Sequence, residues 1–201
     1  MVRPMTWSLK RPAGFVPMSL EAFRAFEAER PDERWELIDF EPRMMAGAAL
    51  RHVRISRNIT SALHTRLRGT SCEVFQSDLR VELAANGFAA YPDVVVRCGG
   101  PPLDRETFIT DPTVIFEVLS PSSAVRDLSL KPMFYQMFDS LQSYVAVWSD
   151  ERRIVILTRD PGELLGWRED TLIPDQLIAP PGLPASLTFA DVYESVTDFA
   201  R

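Results

Sequence analysis

The chain has 201 residues, 46% of them hydrophobic and 25% charged, which is the usage of a globular protein large enough for one substantial core. Its net charge of -6 argues against a protein that coats nucleic acid through bulk electrostatics, because phosphate binding needs clustered lysine and arginine. The apolar runs fall well short of the roughly 20 residues that cross a bilayer, and no signal-peptide core begins the chain, so we expect a cytoplasmic protein without a membrane partner.

The first elements precede the main sheet. Residues 1–17 are rich in proline and lack periodicity, which predicts an N-terminal arm, followed by a single domain over residues 18–201. Ser19 offers an N-cap for a helix over Leu20 to Glu29. The segment Arg34 to Met45 is typical of a β-hairpin.

The remaining elements alternate between helical and strand patterns. Apolar residues at four-residue spacing predict an amphipathic helix over Arg51 to Arg68. Short β-branched runs between turn residues predict strands at Cys72 to Gln76, Leu79 to Leu83, Asp93 to Arg97, Thr113 to Leu119, Ser143 to Trp148 and Arg153 to Thr158. Two further helices are expected over Ser123 to Asp139, with its regular part from Leu130, and over Ala190 to Val196.

The chain has two cysteines, Cys72 in a predicted strand and Cys98 just past another. Neither belongs to a C-x-x-C pair or stands near a histidine. We therefore expect two free thiols and no structural zinc site.

Two carboxylates interrupt apolar strands. Glu117 is the one charge in the run Thr113 to Leu119, and burying it unpaired costs several kcal/mol, so it needs a cation or a proton. Asp93 follows Pro92 and opens the preceding apolar strand. Taken separately, Glu117 could form a structural ion pair with an arginine, and Asp93 could be a capped strand start. Taken together, the two carboxylates suit Mg²⁺ or Mn²⁺.

Three more residues are candidates for the same site. Lys131 is one of only two lysines among 22 basic residues, and a position at the start of the predicted helix could bring it over Glu117 or into an i, i+4 pair with Asp127. Glu36 could be a third oxygen ligand or an exposed hairpin charge. His52 begins the long helix, where it could reach a phosphate or a metal-bound water, whereas His64 is expected at the surface.

With these residues in hand, the chain resembles the Uma-type restriction endonuclease family, a branch of the PD-(D/E)XK nuclease superfamily. The similarity covers nearly all of residues 18 to 195. It rests on WELIDFEP (Trp35 to Pro42), His52 with its helix, YPDVVV (Tyr91 to Val96), FEVLSPSS (Phe116 to Ser123), the series Arg126, Asp127, Lys131 and Tyr135, and SLQSYVAV (Ser140 to Val147).

The resemblance implies an α/β restriction-endonuclease-like fold, a central mixed sheet flanked by helices, with an added N-terminal helix and hairpin. It implies Mg²⁺- or Mn²⁺-dependent hydrolysis of DNA phosphodiesters, with Asp93 and Glu117 as metal ligands and Glu36 as the catalytic acidic residue contributed by the first part of the fold. Leu119 stands where the superfamily consensus has lysine, and Lys131 fits as its replacement; Phe40 stands where relatives often have glycine.

We therefore expect a metal-dependent endodeoxyribonuclease that acts as a homodimer. The candidates for substrate binding are His52, Arg54, Arg57, Arg80, Arg97 and Tyr135. Two alternatives stay open, a non-catalytic dimeric nucleic-acid-binding or scaffold protein, and a phosphoesterase acting on small nucleotides.

Overall fold

The computed structural model describes residues 16–100, 104–120, 130–197 and 199, and these ranges contain four α-helices and eleven strands. The helices are α1 (Leu20–Ala28), α2 (Leu50–Arg66), α3 (Lys131–Tyr135) and α4 (Phe189–Val192). The strands are β1 (Trp35–Ile38), β2 (Glu41–Met44), β3 (Cys72–Gln76), β4 (Arg80–Leu83), β5 (Phe88–Ala90), β6 (Val94–Cys98), β7 (Phe108–Ile109), β8 (Val114–Leu119), β9 (Ser143–Trp148), β10 (Ile154–Arg159) and β11 (Trp167–Leu172).

A six-stranded mixed sheet, in the order β11-β10-β9-β8-β6-β3, forms the centre of the molecule. Only β8 and β9 run parallel within it, which fits two strands that are buried along their whole length. Val114 and Phe116 of β8 pack into the core under α2, while Ile115 and Leu119 enter a second core on the opposite face. The predicted alternation therefore aims Glu117 at the second core.

A second mixed sheet, in the order β2-β1-β5-β4-β7, carries the N-terminal elements. Ser19 caps α1 by accepting a hydrogen bond from the Ala22 amide at 3.1 Å. Asp39 and Phe40 turn the predicted hairpin with φ values of 53° and 64°. Phe40 thus adopts the left-handed conformation that favours glycine. The predicted mixed sheet with flanking helices, N-terminal helix and hairpin is confirmed.

Three strands were not predicted. β5 has three residues and β7 has two, so both strands are too short to show an alternation of apolar and polar residues. β11 reads WREDTL and is exposed along its centre, as suits an edge strand, so no apolar face marks it. Most of the predicted arm, residues 1–15, and residues 123–129 of the helix predicted over Ser123 to Asp139 lie outside the described residues.

The prediction of two free thiols was wrong, because Cys72 and Cys98 form a disulfide. The two cysteines are directly opposite each other on the antiparallel strands β3 and β6. The spacing of 26 residues gave no sign of this pairing, which depends on a register that only the folded sheet defines.

In the described part of the chain, no helix is both long enough and apolar enough to cross a membrane.

Candidate active site

Asp93 and Glu117 lie opposite each other where strand β6 begins, in the interior of the central sheet. Strands β6 and β8 are antiparallel with Val94 opposite Phe116, so the next pair outward is Asp93 and Glu117. Asp93 accepts a hydrogen bond from the Val118 amide through Oδ2, at 2.7 Å. The predicted neighbouring strands thus bring the two carboxylates together, and an amide of β8 orients one of them.

Glu117 is buried, and its Oε1 accepts a hydrogen bond from the Tyr135 hydroxyl at 2.9 Å. Burial raises the pKa of Glu117 to about 8; the Lys131 ammonium opposes the rise, and the charges of Asp93 and Glu36 add to it. Burial, and then the charge of Glu117, raise the pKa of Tyr135 well above its usual value, so this hydroxyl acts as a donor. The compensating groups are lysine and tyrosine, not the arginine of the alternative interpretation.

Lys131 joins carboxylates from the two sheets. It is the first residue of α3, and its Nζ lies 2.7 Å from Oε1 of Glu36 on β1 and 3.7 Å from Oε1 of Glu117 on β8. The Tyr91 amide also donates to Oε1 of Glu36, at 3.2 Å. Glu36 is therefore a buried site residue and not an exposed hairpin charge. The alternative partner of Lys131, Asp127, lies outside the described residues.

His52 contacts the site through Asp93, with 2.7 Å between His52 Nε2 and Asp93 Oδ1. Packing of α2 on the sheet through Ile55 and its neighbours holds the first turn of the helix against the end of β6. His64, three turns further along, is exposed as expected. His52, a predicted site residue, thus lies beside the carboxylates and orients the candidate metal ligand Asp93.

The two candidate arginines of α2 form hydrogen bonds to groups other than the site carboxylates. Arg54 Nη1 lies 3.5 Å from the Ser195 carbonyl oxygen, and Arg57 donates to Oδ1 of Asn58 at 2.9 Å. Neither forms a hydrogen bond with a carboxylate of the site among the described residues. Both remain predicted substrate contacts on the helix that carries His52.

The two candidate arginines on strands are engaged elsewhere. Arg80 is nearly buried and paired with Glu27 and Glu82 beneath α1. Arg97 lies at the opposite end of β6 from Asp93 and pairs with Asp111 at 2.7 Å. The structure does not bring these two guanidinium groups to the candidate site.

Sequence reasoning missed the two backbone amides of Val118 and Tyr91, which orient Asp93 and Glu36. A backbone amide carries no residue-type signal, so only the strand geometry reveals it. Tyr135 was predicted as a substrate contact, whereas its hydroxyl supports Glu117 from a fully buried position.

The donor set fits a hard divalent cation. Glu36 and Glu117 both contact the Lys131 ammonium, and Asp93 lies opposite Glu117 on the neighbouring strand. Burial is the main cause of the raised pKa of Glu117, and the charges of Asp93 and Glu36 add to it. No three His, Cys, Asp or Glu side chains within the described ranges form a ready metal-binding group. A cation held by Asp93 and Glu117 would complete its shell with water, as Mg²⁺ commonly does.

The chain and its fold are similar to known proteins. The family model described as "Putative restriction endonuclease" (Uma2) matches residues 20–192. The uncharacterized protein slr1290 of Synechocystis is 33% identical over 156 residues, covering 76% of this chain and 80% of that protein. The uncharacterized protein sll1609 of the same organism is 33% identical over 121 residues, covering 59% and 68%.

The crystal structure of a "putative nuclease belonging to DUF820" from Anabaena variabilis has the same fold. It matches with a TM-score of 0.72 at 16% sequence identity, covering 90% of this chain and 100% of that chain. The resemblance that WELIDFEP, YPDVVV and FEVLSPSS predicted is confirmed by the family match, which includes every candidate site residue. The chain belongs to the Uma2 family of restriction-endonuclease-like proteins.

Proposed function

We propose that this protein is a metal-dependent endonuclease that hydrolyses phosphodiester bonds of DNA with Mg²⁺ or Mn²⁺. The observation that carries the proposal is the convergence of Asp93, Glu117, Glu36 and Lys131 from two sheets and a helix at one point. The family match, and the fold shared with the "putative nuclease" from Anabaena variabilis, support the nuclease class.

Each residue has a role that its contacts suggest. Asp93 and Glu117 would hold the metal ion, which when bound lowers the pKa of a water molecule and stabilises charge on the phosphate. His52 and the Val118 amide fix the orientation of Asp93, and Tyr135 fixes Glu117. The Lys131 ammonium orients the attacking water or stabilises negative charge that develops on the phosphoryl oxygens.

The test is cleavage of plasmid DNA with Mg²⁺ or Mn²⁺ by the wild-type protein and by Glu117→Gln and Lys131→Met. We expect each variant to lose about 100-fold or more in rate, the usual effect of removing a preorganised electrostatic group. His64→Gln, an exposed change on α2, is the control and should retain wild-type activity. Equal cleavage by wild type and both site variants would refute the assignment.

The same assay separates the two alternatives. Hydrolysis of small nucleotides without cleavage of DNA would indicate the phosphoesterase, and binding of DNA without any hydrolysis would indicate the binding protein. A single compact domain engages one strand at a time, so we expect a two-fold dimer if the product is a double-strand break. Light scattering during size-exclusion chromatography measures whether the homodimer forms.

A further inference from the structure

We propose that Arg34 and Arg43 bind backbone phosphates of DNA next to the phosphodiester that the protein cleaves. This role rests on the proposed function, because the phosphates belong to the substrate of the proposed nuclease. Neither arginine is among the substrate contacts that the sequence predicted, and no step of the proposed mechanism requires them.

The phosphates on either side of the cleaved bond need cations of their own. Each phosphate that approaches the candidate site brings a negative charge toward a protein whose net charge is already -6. Two of the arginines predicted to meet these phosphates, Arg80 and Arg97, pair with acids elsewhere. Arginines that lie close to the site carboxylates are therefore the candidates to replace them.

Arg43 lies next to Glu36 on the hairpin formed by β1 and β2. The antiparallel register puts Arg43 directly opposite Glu36. The two side chains therefore extend from the same face of the sheet, with their Cβ atoms about 5 Å apart. Strand β2 is at the edge of its sheet, and the Arg43 side chain is 32% exposed. The Arg43 guanidinium is thus accessible to solvent at the border of the candidate site.

Arg34 directly precedes β1 and is two residues from Glu36. Its guanidinium lies over the Tyr91 ring, 5.7 Å from the ring centre, and Nη1 donates to the Ser77 carbonyl oxygen at 3.4 Å. The Tyr91 amide in turn donates to Glu36, and the Ser77 amide donates to the Asp93 carbonyl oxygen at 3.3 Å. Arg34 is therefore held against two residues that are themselves bonded to site residues.

The acids that pair with these two arginines are exposed. Arg34 pairs with Asp78, whose side chain is 78% exposed, and Arg43 pairs with Glu41, whose side chain is 53% exposed. Exposed ion pairs contribute little to stability, so exchanging such an acid for a phosphate costs little. A guanidinium also has five N–H donors in a planar fork that fits two phosphate oxygens. Both arginines can therefore accept a phosphate without disturbing the core.

The test is binding of a short fluorescent DNA duplex in Mg²⁺, measured by fluorescence anisotropy over a series of NaCl concentrations. The parent protein is Glu117→Gln, which the proposed function expects to bind DNA without rapid cleavage. Adding Arg34→Gln or Arg43→Gln should weaken binding and lower the slope of log K against log salt by about 1 each, because one phosphate contact is lost. Arg43→Lys keeps the charge and should keep the parent slope.

Arg168→Gln is the matched control. Arg168 is 49% exposed and pairs with the exposed Asp170 at 3.0 Å, as Arg43 pairs with Glu41. It lies on β11, an edge strand that is three strands away from β8 in the central sheet. Removing its charge should leave both the affinity for DNA and the salt slope unchanged.

The outcomes separate this role from the proposed function. Equal salt slopes in the parent, Arg34→Gln and Arg43→Gln proteins would overturn the phosphate contacts, and so would an equal loss in Arg168→Gln or no DNA binding by the parent. Cleavage of plasmid DNA by the wild-type protein would leave the nuclease standing in each of these cases. The expected slopes without cleavage by wild type would overturn the nuclease and support the phosphate contacts in a DNA-binding protein.

Discussion

Glu117 lies in a strand whose six residues are all buried, and its neighbours explain how a carboxylate is kept there. Tyr135 donates a hydrogen bond to it, and Lys131 supplies a nearby positive charge. Burial nevertheless raises the pKa of Glu117 to about 8. In the absence of metal, the folded protein therefore holds a proton at neutral pH that the unfolded chain releases.

This proton predicts a pH dependence of stability in metal-free protein. The pKa of Glu117 in the folded protein lies above the ordinary value of 4.5. Its contribution to the free energy of unfolding is therefore fully present below about pH 4.5 and is lost as pH rises through about 8. In EDTA, the free energy of unfolding by urea should fall across this window in wild type and fall less in Glu117→Gln. Glu73→Gln, an exposed change on β3, should keep the wild-type slope. Identical slopes in all three proteins would contradict the assignment.

The sequence indicates which charged residues are unusual, but it does not indicate which groups those residues contact. Glu117 stands out because one charge interrupts an apolar run, and Lys131 because the chain uses arginine almost everywhere else. Arg80 and Arg97 are equally charged, yet they pair with acids away from the site. A charged residue carries no mark that distinguishes an ion pair from a substrate contact until its neighbours are known.

Among the elements, β3 and β6 are joined by hydrogen bonds and by the Cys72–Cys98 disulfide. The bond ties the edge strand β3 to the strand that leads from Asp93. It lies at the end of β6 remote from Asp93. The carboxylates are thus held by hydrogen bonds within the sheet, and the disulfide holds its edge.

We expect the disulfide to stabilise the fold without determining activity. Closing a separation of 26 residues contributes about 3.5 kcal/mol in the chain-entropy description. The double substitution Cys72→Ser with Cys98→Ser should lower the free energy of unfolding by about that amount. DNA cleavage at a temperature where both proteins are folded should be unchanged. Reduced wild type is the control, and equal stability before and after reduction would argue against the bond.

Helix α1 is bound to the second sheet by ion pairs that are mostly buried. Arg80 pairs with Glu27 on α1 and Glu82 on β4, and the Glu82 side chain is 1% exposed. Arg80→Met would leave both acids without this cation, so we expect a loss of about 3 kcal/mol or more in unfolding free energy. Arg57→Met, an exposed change on α2, should cost less than about 0.5 kcal/mol. Comparable losses would refute a structural role for Arg80.

In the whole molecule, the site exists because the two sheets share a core. Val81, Phe88 and Ile109 of the second sheet pack in one cluster with Ile115 and Tyr144 of the central sheet. This shared core is also where α3 rests. It sets the distance between Glu36 and Glu117 that Lys131 bridges.

Phe88 is the clearest test of that dependence. Its ring lies 5.3 Å from Phe134 and 5.1 Å from Tyr135, both on α3. Phe88→Ala should cost about 3 to 5 kcal/mol and also weaken Mg²⁺ binding, because α3 loses its support. Phe23→Ala, an equally buried change in the α1 core, should destabilise the protein without weakening Mg²⁺ binding. Equal Mg²⁺ affinities in the two folded variants would contradict the dependence of the site on the shared core.

The sequence alone predicted five of the six strands of the central sheet, the long helix, and the N-terminal helix and hairpin. It also identified Asp93, Glu117, Lys131, Glu36 and His52 as candidate site residues. It could do so because periodicity and misplaced charges are local properties of the chain. The tertiary structure alone decided the second sheet, the disulfide, the partners of Arg80 and Arg97, and the amides that orient the carboxylates. Those features depend on strand register and on which surfaces share a core, and both are set by contacts between segments distant in sequence.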